Sequence, residues 1–278
     1  MVTGGREAEE RIELVRSARA RVGQSGVLRL GFGLRGGRTV LVDRRASAPF
    51  GAVRANYPDG SGMPEVQIIN PSGGVLGGDR LEAEVEVSPG SSATVLTQAA
   101  NKVYRGDGAS QTTVLRAGEG ALLEYLPHHL IPYAGATYRQ GTTFHLASDA
   151  SLLAWDAFSA GRVARGERFA FDRLRARTIV FREGVPEVVD GLDLAGGDEL
   201  FGGYSYTAAA YVLAARDLGP LAGKLHDFLA GLSGTLASAS APAPGHPGCT
   251  ATRPRALRAR GASSRSTRIF WTCYGRSG

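Results

Sequence analysis

The chain has 278 residues, 43% of them apolar, enough for one sizeable globular body, and a formal charge of +6. That charge does not point to nucleic acid or an anionic membrane, because residues 228–278 hold seven arginines and no acid. The first 227 residues therefore hold 25 basic and 26 acidic side chains, a net charge of −1. Both cysteines, Cys249 and Cys273, fall in the same basic tail, so the body has neither a disulfide framework nor a thiolate metal site.

Residues 1–25 are read as an N-terminal extension. They carry Glu7, Glu9, Glu10 and Glu13 with no apolar core, the wrong chemistry for a secretion signal, and 6–22 have helical composition with a thin stripe of Ile12, Val15 and Val22. The body is read over 26–232. Its clearest element is 81–87, where Leu81, Ala83, Val85 and Val87 alternate with Glu82, Glu84 and Glu86, a strand with one face in water. Short β-branched or aliphatic runs at 39–42, 66–69, 93–97, 112–116, 121–125, 143–146, 151–155 and 178–182 predict further strands. Turns such as Ser88-Pro89-Gly90, Gly106-Asp107-Gly108 and Gly118-Glu119-Gly120 punctuate them. Strands this closely spaced, with no helices between them, predict a mainly β body rather than an α/β sheet. The expected arrangement is mainly antiparallel, sandwich-like or solenoid-like.

Helices are predicted to be few. After Pro220, residues Leu221, Leu225, Phe228, Leu229 and Leu232 fall on one helical face, with proline where a helix start tolerates it. The alanine-rich stretch 206–216 suits either a helix or a buried strand, and its apolar core at 208–215 is too short to cross a bilayer. From Ser233 onward, 32 of 46 residues are Ala, Ser, Gly, Pro or Arg. This tail, 233–278, is read either as a disordered linker or as out-of-frame translation of a GC-rich gene, the latter in keeping with 30 arginines against 2 lysines.

Several residues invite a chemical reading. The pairs Gly73-Gly74 and Gly77-Gly78 resemble a phosphate loop, but no Lys-Ser or Lys-Thr follows and Asp79 would repel an anion. A tight β connection, with Asp79 capping free amides, is the better reading. Lys102, in TQAANKVY at 97–104 with Tyr104, offers a compact ammonium that suits pairing with Asp79 or Glu167, or else an exposed strand end. His128 and His129 are the candidate metal ligands, yet adjacent residues on a strand face opposite ways and no cluster of His, Cys or carboxylate recurs at ligand spacing. No stable metal site is expected. Asp156, Arg162 and Glu167 suggest a polar network at a turn, or the lining of a channel. No Ser-His-Asp order and no nucleophile elbow is present.

Four segments taken in order, NPSGGVLGGD at 70–79, TQAANKVY at 97–104, LPHHLIPYAGATYRQ at 126–140 and AWDAFSAGRVARGERFAF at 154–171, make the chain resemble the UreD (UreH) family of urease accessory proteins over about 26–230. The resemblance implies a sheet-stacked β-helical fold with very few helices and a non-enzymatic, cytoplasmic role in putting nickel into urease. It implies UreF, the GTPase UreG and apo-urease as partners, with no nucleic acid or membrane partner. It also implies no tightly bound cofactor, nickel in transit, and Asp79 near the nickel route. The competing reading from the residues is a β-sandwich hydrolase with Asp156 and Glu167 as a facing acid/base pair.

Overall fold

The computed structural model describes residues 23–197, 203–233 and 235–241, and the backbone of 267–275; the helical reading of 6–22 and much of the tail lie outside them. Along the chain the strands are β1 (Ser25–Arg35), β2 (Arg38–Ala46), β3 (Gly51–Ala52), β4 (Glu65–Ile69), β5 (Arg80–Val87), β6 (Ser92–Thr97), β7 (Asn101–Val103), β8 (Ala109–Ala117) and β9 (Leu122–Leu126). They continue as β10 (Leu130–Pro132), β11 (Thr137–Leu146), β12 (Ser151–Ser159), β13 (Arg173–Arg182), β14 (Val185–Ala195), β15 (Tyr206–Ala214), β16 (Thr235–Ser240) and β17 (Thr267–Gly275). One α-helix, Gly219–Ala230, is present among the described residues. Every strand predicted in the body is found, and the alanine-rich stretch is the strand β15.

The strands build two sheets, ordered β14-β13-β11-β8-β5-β1-β2 and β16-β17-β15-β12-β9-β6-β4-β3, with β10 joining β12 to β7. Between β4 and β13 the longer strands alternate between the sheets, so sequence neighbours face each other and ladder neighbours are a full coil apart. The expected antiparallel body is corrected here. β1, β5, β8, β11 and β13 run parallel, as do β4, β6, β9 and β12, and only the flanking strands are antiparallel. Parallel strands need a crossover, and a strand of the opposite sheet supplies it in place of a helix.

Alternation places one side chain in two on the shared core. On β5 the burial follows the predicted phase without a break: Leu81, Ala83, Val85 and Val87 are inside, and the glutamates and Arg80 are outside. Phe32, Phe144, Phe158, Phe171 and Tyr138 fill the core from several coils. A buried aromatic of this size contributes about 1.5–3 kcal/mol.

The helix departs from its predicted face. Ala222 and Leu229 are buried, whereas Leu221 is 40% and Phe228 65% exposed. Leu218, Ala222, Leu225 and Leu229 meet Ala214 and Ala239, so the packed stripe keeps Leu225 and Leu229 of the predicted face and turns away from Leu221 and Phe228. Strands β16 and β17 fall within the stretch set apart as tail, and they extend the second sheet from β15. Among the described residues no helix is long and apolar enough to cross a membrane.

A buried ion pair locks the turn between β11 and β12 onto the β13–β14 hairpin. Arg182 Nε donates to Glu187 Oε2 at 3.3 Å, and its Nη1 donates to the carbonyls of Ala147, Ser148 and Ala150 at 2.8, 3.1 and 2.9 Å. Arg182→Ala removes the guanidinium that meets the buried Glu187 charge and three turn carbonyls, so equilibrium urea unfolding should show a loss of about 3–5 kcal/mol. The double change Arg182→Met/Glu187→Met, which removes both charges, should cost clearly less.

Candidate functional site

The four segments that carry the family resemblance are scattered over a hundred residues and meet at one end of the two sheets. The first, 70–79, lies against the second through backbone. Val75 N donates to Lys102 O at 2.7 Å, Tyr104 N to Val75 O at 2.9 Å and Gly78 N to Asp107 O at 2.8 Å. Two glycines make this approach possible. A Cβ on Gly74 would stand 2.4 Å from Lys102 O, on a backbone whose φ of 154° already disfavours side chains, and a Cβ on Gly77 would stand 2.7 Å from Gly106 Cα. The glycine pairs thus sit in a connection packed closely against the next loop.

Asp79, 1% exposed, takes the capping role. Its Oδ1 accepts from Gln24 N at 2.8 Å and its Oδ2 from Leu76 N at 2.9 Å, which fastens the start of β1 to the glycine loop. The pairing expected of Lys102 is corrected by this arrangement. Asp79 is occupied by amides and Glu167 by Arg162, and no carboxylate lies within ion-pair distance of Lys102 among the described residues. Lys102 instead sits half-buried on β7, next to Ile131 of β10, and lines a cavity.

The remaining segments attach through rings and a turn. The Tyr104 hydroxyl reaches Gly73 O, and its ring meets the Tyr133 ring edge-on at 5.0 Å. The Arg162 guanidinium stacks 4.4 Å above Tyr133 and binds Glu167, which also accepts from Ala134 N. Hydrogen bonding to Arg162 holds the Glu167 carboxylate below its ordinary pKa. Arg162 and Glu167 are therefore the ion pair of a turn. Asp156 is not part of that network: it lies between the sheets, 8% exposed, accepting from Gln140 Nε2 at 2.9 Å and Thr178 Oγ1 at 3.0 Å. The facing acid/base pair of the hydrolase reading is replaced by two carboxylates engaged at different places.

His128 and His129 precede β10. His128 N donates to Thr97 Oγ1 at 2.9 Å, and the His129 ring meets Tyr206 edge-on at 5.9 Å. Burial, and next the neighbouring His128, push the His129 imidazole below its usual pKa, so it is neutral near pH 7. No group of three or more metal-binding side chains occurs among the described residues, so the two histidines stand without further ligands there.

Where the first two segments meet, a cavity of about 220 Å³ opens between the sheets, walled by Asn70, Gly74, Gln98, Asn101 and Lys102 and, deeper, by Gln111 and Tyr125. Polar groups continue inward from it. Tyr138 donates to Gln111 and Gln111 to Thr113, each at 3.3 Å. The Tyr125 and Tyr138 hydroxyls are pushed above their ordinary pKa, first by burial and with a further contribution from the nearby Asp156 charge, so both remain neutral donors. Farther along, Tyr211 donates to Asp190 Oδ2 at 2.6 Å. Sequence reading missed Gln111, Tyr125, Tyr138, Gln140 and Asp190. Their signal was available: each falls on the inward phase of its strand, where a core predicts an apolar side chain.

A profile described as UreD urease accessory protein matches residues 24–273. A protein of Nostoc sp., "Urease accessory protein UreD", is 39% identical over 181 residues, which span 64% of this chain and 65% of that one. A protein of the same name from Dechloromonas aromatica is 38% identical over 175 residues, 62% of this chain and 61% of the other, and "Urease accessory protein UreD 2" of Streptomyces griseus is 36% identical over 221 residues, 74% of this chain and 75% of the other. The alignments to the first two thus span just under two thirds of those relatives' length.

Gly74→Ala tests the loop packing. With its Cβ against the Lys102 carbonyl, the variant should lose about 1–3 kcal/mol in urea unfolding, and Gly60→Ala, which meets open space, should lose much less.

Proposed function

The chain belongs to the UreD family of urease accessory proteins, and on that ground we propose that it is a non-catalytic assembly factor that works with UreF and the GTPase UreG to bring nickel to apo-urease in the cytoplasm. The observation that carries the reading is the convergence of the four family-like segments on one end of the sheets, where the first two wall a cavity that leads to buried polar side chains.

In this reading nickel is cargo. A cation leaving water for a protein interior needs oxygen and nitrogen donors along its way, and it must be released at each step, so weak successive contacts suit transit better than a tight cluster. Gln111, the hydroxyls of Tyr125 and Tyr138, Gln140 and Asp156 provide neutral or singly charged donors of that kind between the sheets. Asp156 supplies the negative charge that offsets part of the cation's desolvation. Asp79 acts on the route only through position, since both its oxygens are held by backbone amides.

Two measurements separate assembly from transit. Coexpression with UreF and UreG of the same organism should give a soluble complex on size exclusion, and elution of the chain alone would overturn the assembly role. Asp156→Asn and Gln111→Leu should leave that complex intact while lowering nickel per urease, read by elemental analysis, about tenfold. Full loading by both variants would sink the transit role and leave the assembly role standing.

A further inference from the structure

The outer face of the first sheet carries a basic groove that the urease reading does not use. In the register of β11, β13 and β14, Arg139 stands beside Arg175 and Arg175 beside Asp193, while one row along, Gly141, Arg177 and Gly191 are neighbours. A side chain at Gly141 would meet nothing within 4 Å, and one at Gly191 would meet only the Ala176 carbonyl, at 3.7 Å. The two glycines leave a trough on either side of Arg177. The resulting cavity, about 230 Å³, is lined by Arg139, Arg175, Arg177, Val189, Gly191 and Asp193, room for one or two side chains of a partner.

One carboxylate already sits there. Asp193 accepts from Arg173 Nε and Nη2, both at 2.9 Å, and from Arg175 Nε at 3.2 and 3.3 Å. Arg139 and Arg177 are exposed and have no carboxylate within ion-pair distance among the described residues. A guanidinium is weakly hydrated and presents a planar fork that fits a carboxylate, so the groove holds a built pair and, beside it, two unfilled copies of the same recognition element.

We propose that this groove, centred on Arg177 and Arg139, docks an acidic segment of a partner protein through its Asp or Glu side chains. The charge pattern around it favours a short acidic peptide over nucleic acid. Asp193 lies inside the groove, and two strands away β5 presents Glu82, Glu84 and Glu86 on the same outer face. A phosphate backbone needs a longer unbroken basic track than that. The inference stands on the groove alone and does not depend on the urease-maturation reading.

The test uses the full-length chain and a fluorescein-labelled hexaglutamate peptide, followed by fluorescence anisotropy at low and moderate salt. The wild type should bind, more weakly as salt rises, and Arg139→Glu/Arg177→Glu should weaken binding about tenfold or more. The same charge change at Arg35 and Arg54, exposed arginines outside the groove, should leave affinity within about twofold. If the glutamate variant fails to fold by circular dichroism, Arg139→Gln/Arg177→Gln replaces it and should show a smaller loss in the same direction. No binding by the wild type, or equal losses from the groove and control variants, would overturn the proposal. So would tighter binding of a labelled oligothymidylate that depends on the same two arginines.

Discussion

Consecutive long strands of the central body belong to opposite sheets, and almost every other property of the molecule depends on that crossing. Because β5 reaches its parallel neighbour β8 only after passing through β6 in the other sheet, the two layers are wound from one thread and share one core. Parallel ladders elsewhere are usually covered on both faces by helices. Here the opposite sheet covers one face and water the other, so the central strands bury about one side chain in two, most regularly on β5. The buried Arg182 and Glu187 pair belongs to the same logic, since it ties a turn of one coil to the closing hairpin where winding ends.

Winding also brings distant segments together. Each coil contributes a loop at the same end, so 70–79, 97–104, 126–140 and the turn after β12 stack as successive layers joined by backbone hydrogen bonds, the Tyr104–Tyr133 contact and the Arg162–Glu167 pair. Asp79 holds the lowest layer to β1. The cavity at that end is a consequence of small side chains: Gly73, Gly74, Ala99 and Ala100 leave space that larger residues would fill.

Besides the Arg182–Glu187 pair, the interior departs from an apolar sandwich along the line from Gln111 to Asp156. Burying Asp156 is costly unless its charge is met, and Gln140 and Thr178 meet it from the facing sheet. An apolar core of the same shape would satisfy folding at lower cost, which is why inward-phase polar residues beside a cavity mark function more convincingly than the exposed charges of the outer faces.

Local pattern was enough to determine the strands of the body and the near absence of helix, and it pointed to amide capping by Asp79 and to a polar turn around Arg162 and Glu167. Each of these rests on residues within one or two turns of chain: a period of two, a glycine that relieves a turn, a carboxylate beside free amides. Resemblance of four short strings pointed to the family and needed no coordinates. Strand direction was not legible, because a period of two fixes which face is wet and says nothing about whether the neighbour runs the same way. Nor was the helix face, since Phe228 and Leu221 look as apolar as Leu229 until the sheet beneath selects one stripe. The place of Lys102 on the cavity wall, the separation of Asp156 from Glu167, the polar line from Gln111 to Asp156 and the arginine groove were decided only by tertiary structure. Each depends on side chains from different coils, and their meeting is set by ladder register, a long-range property that no local stretch of sequence encodes.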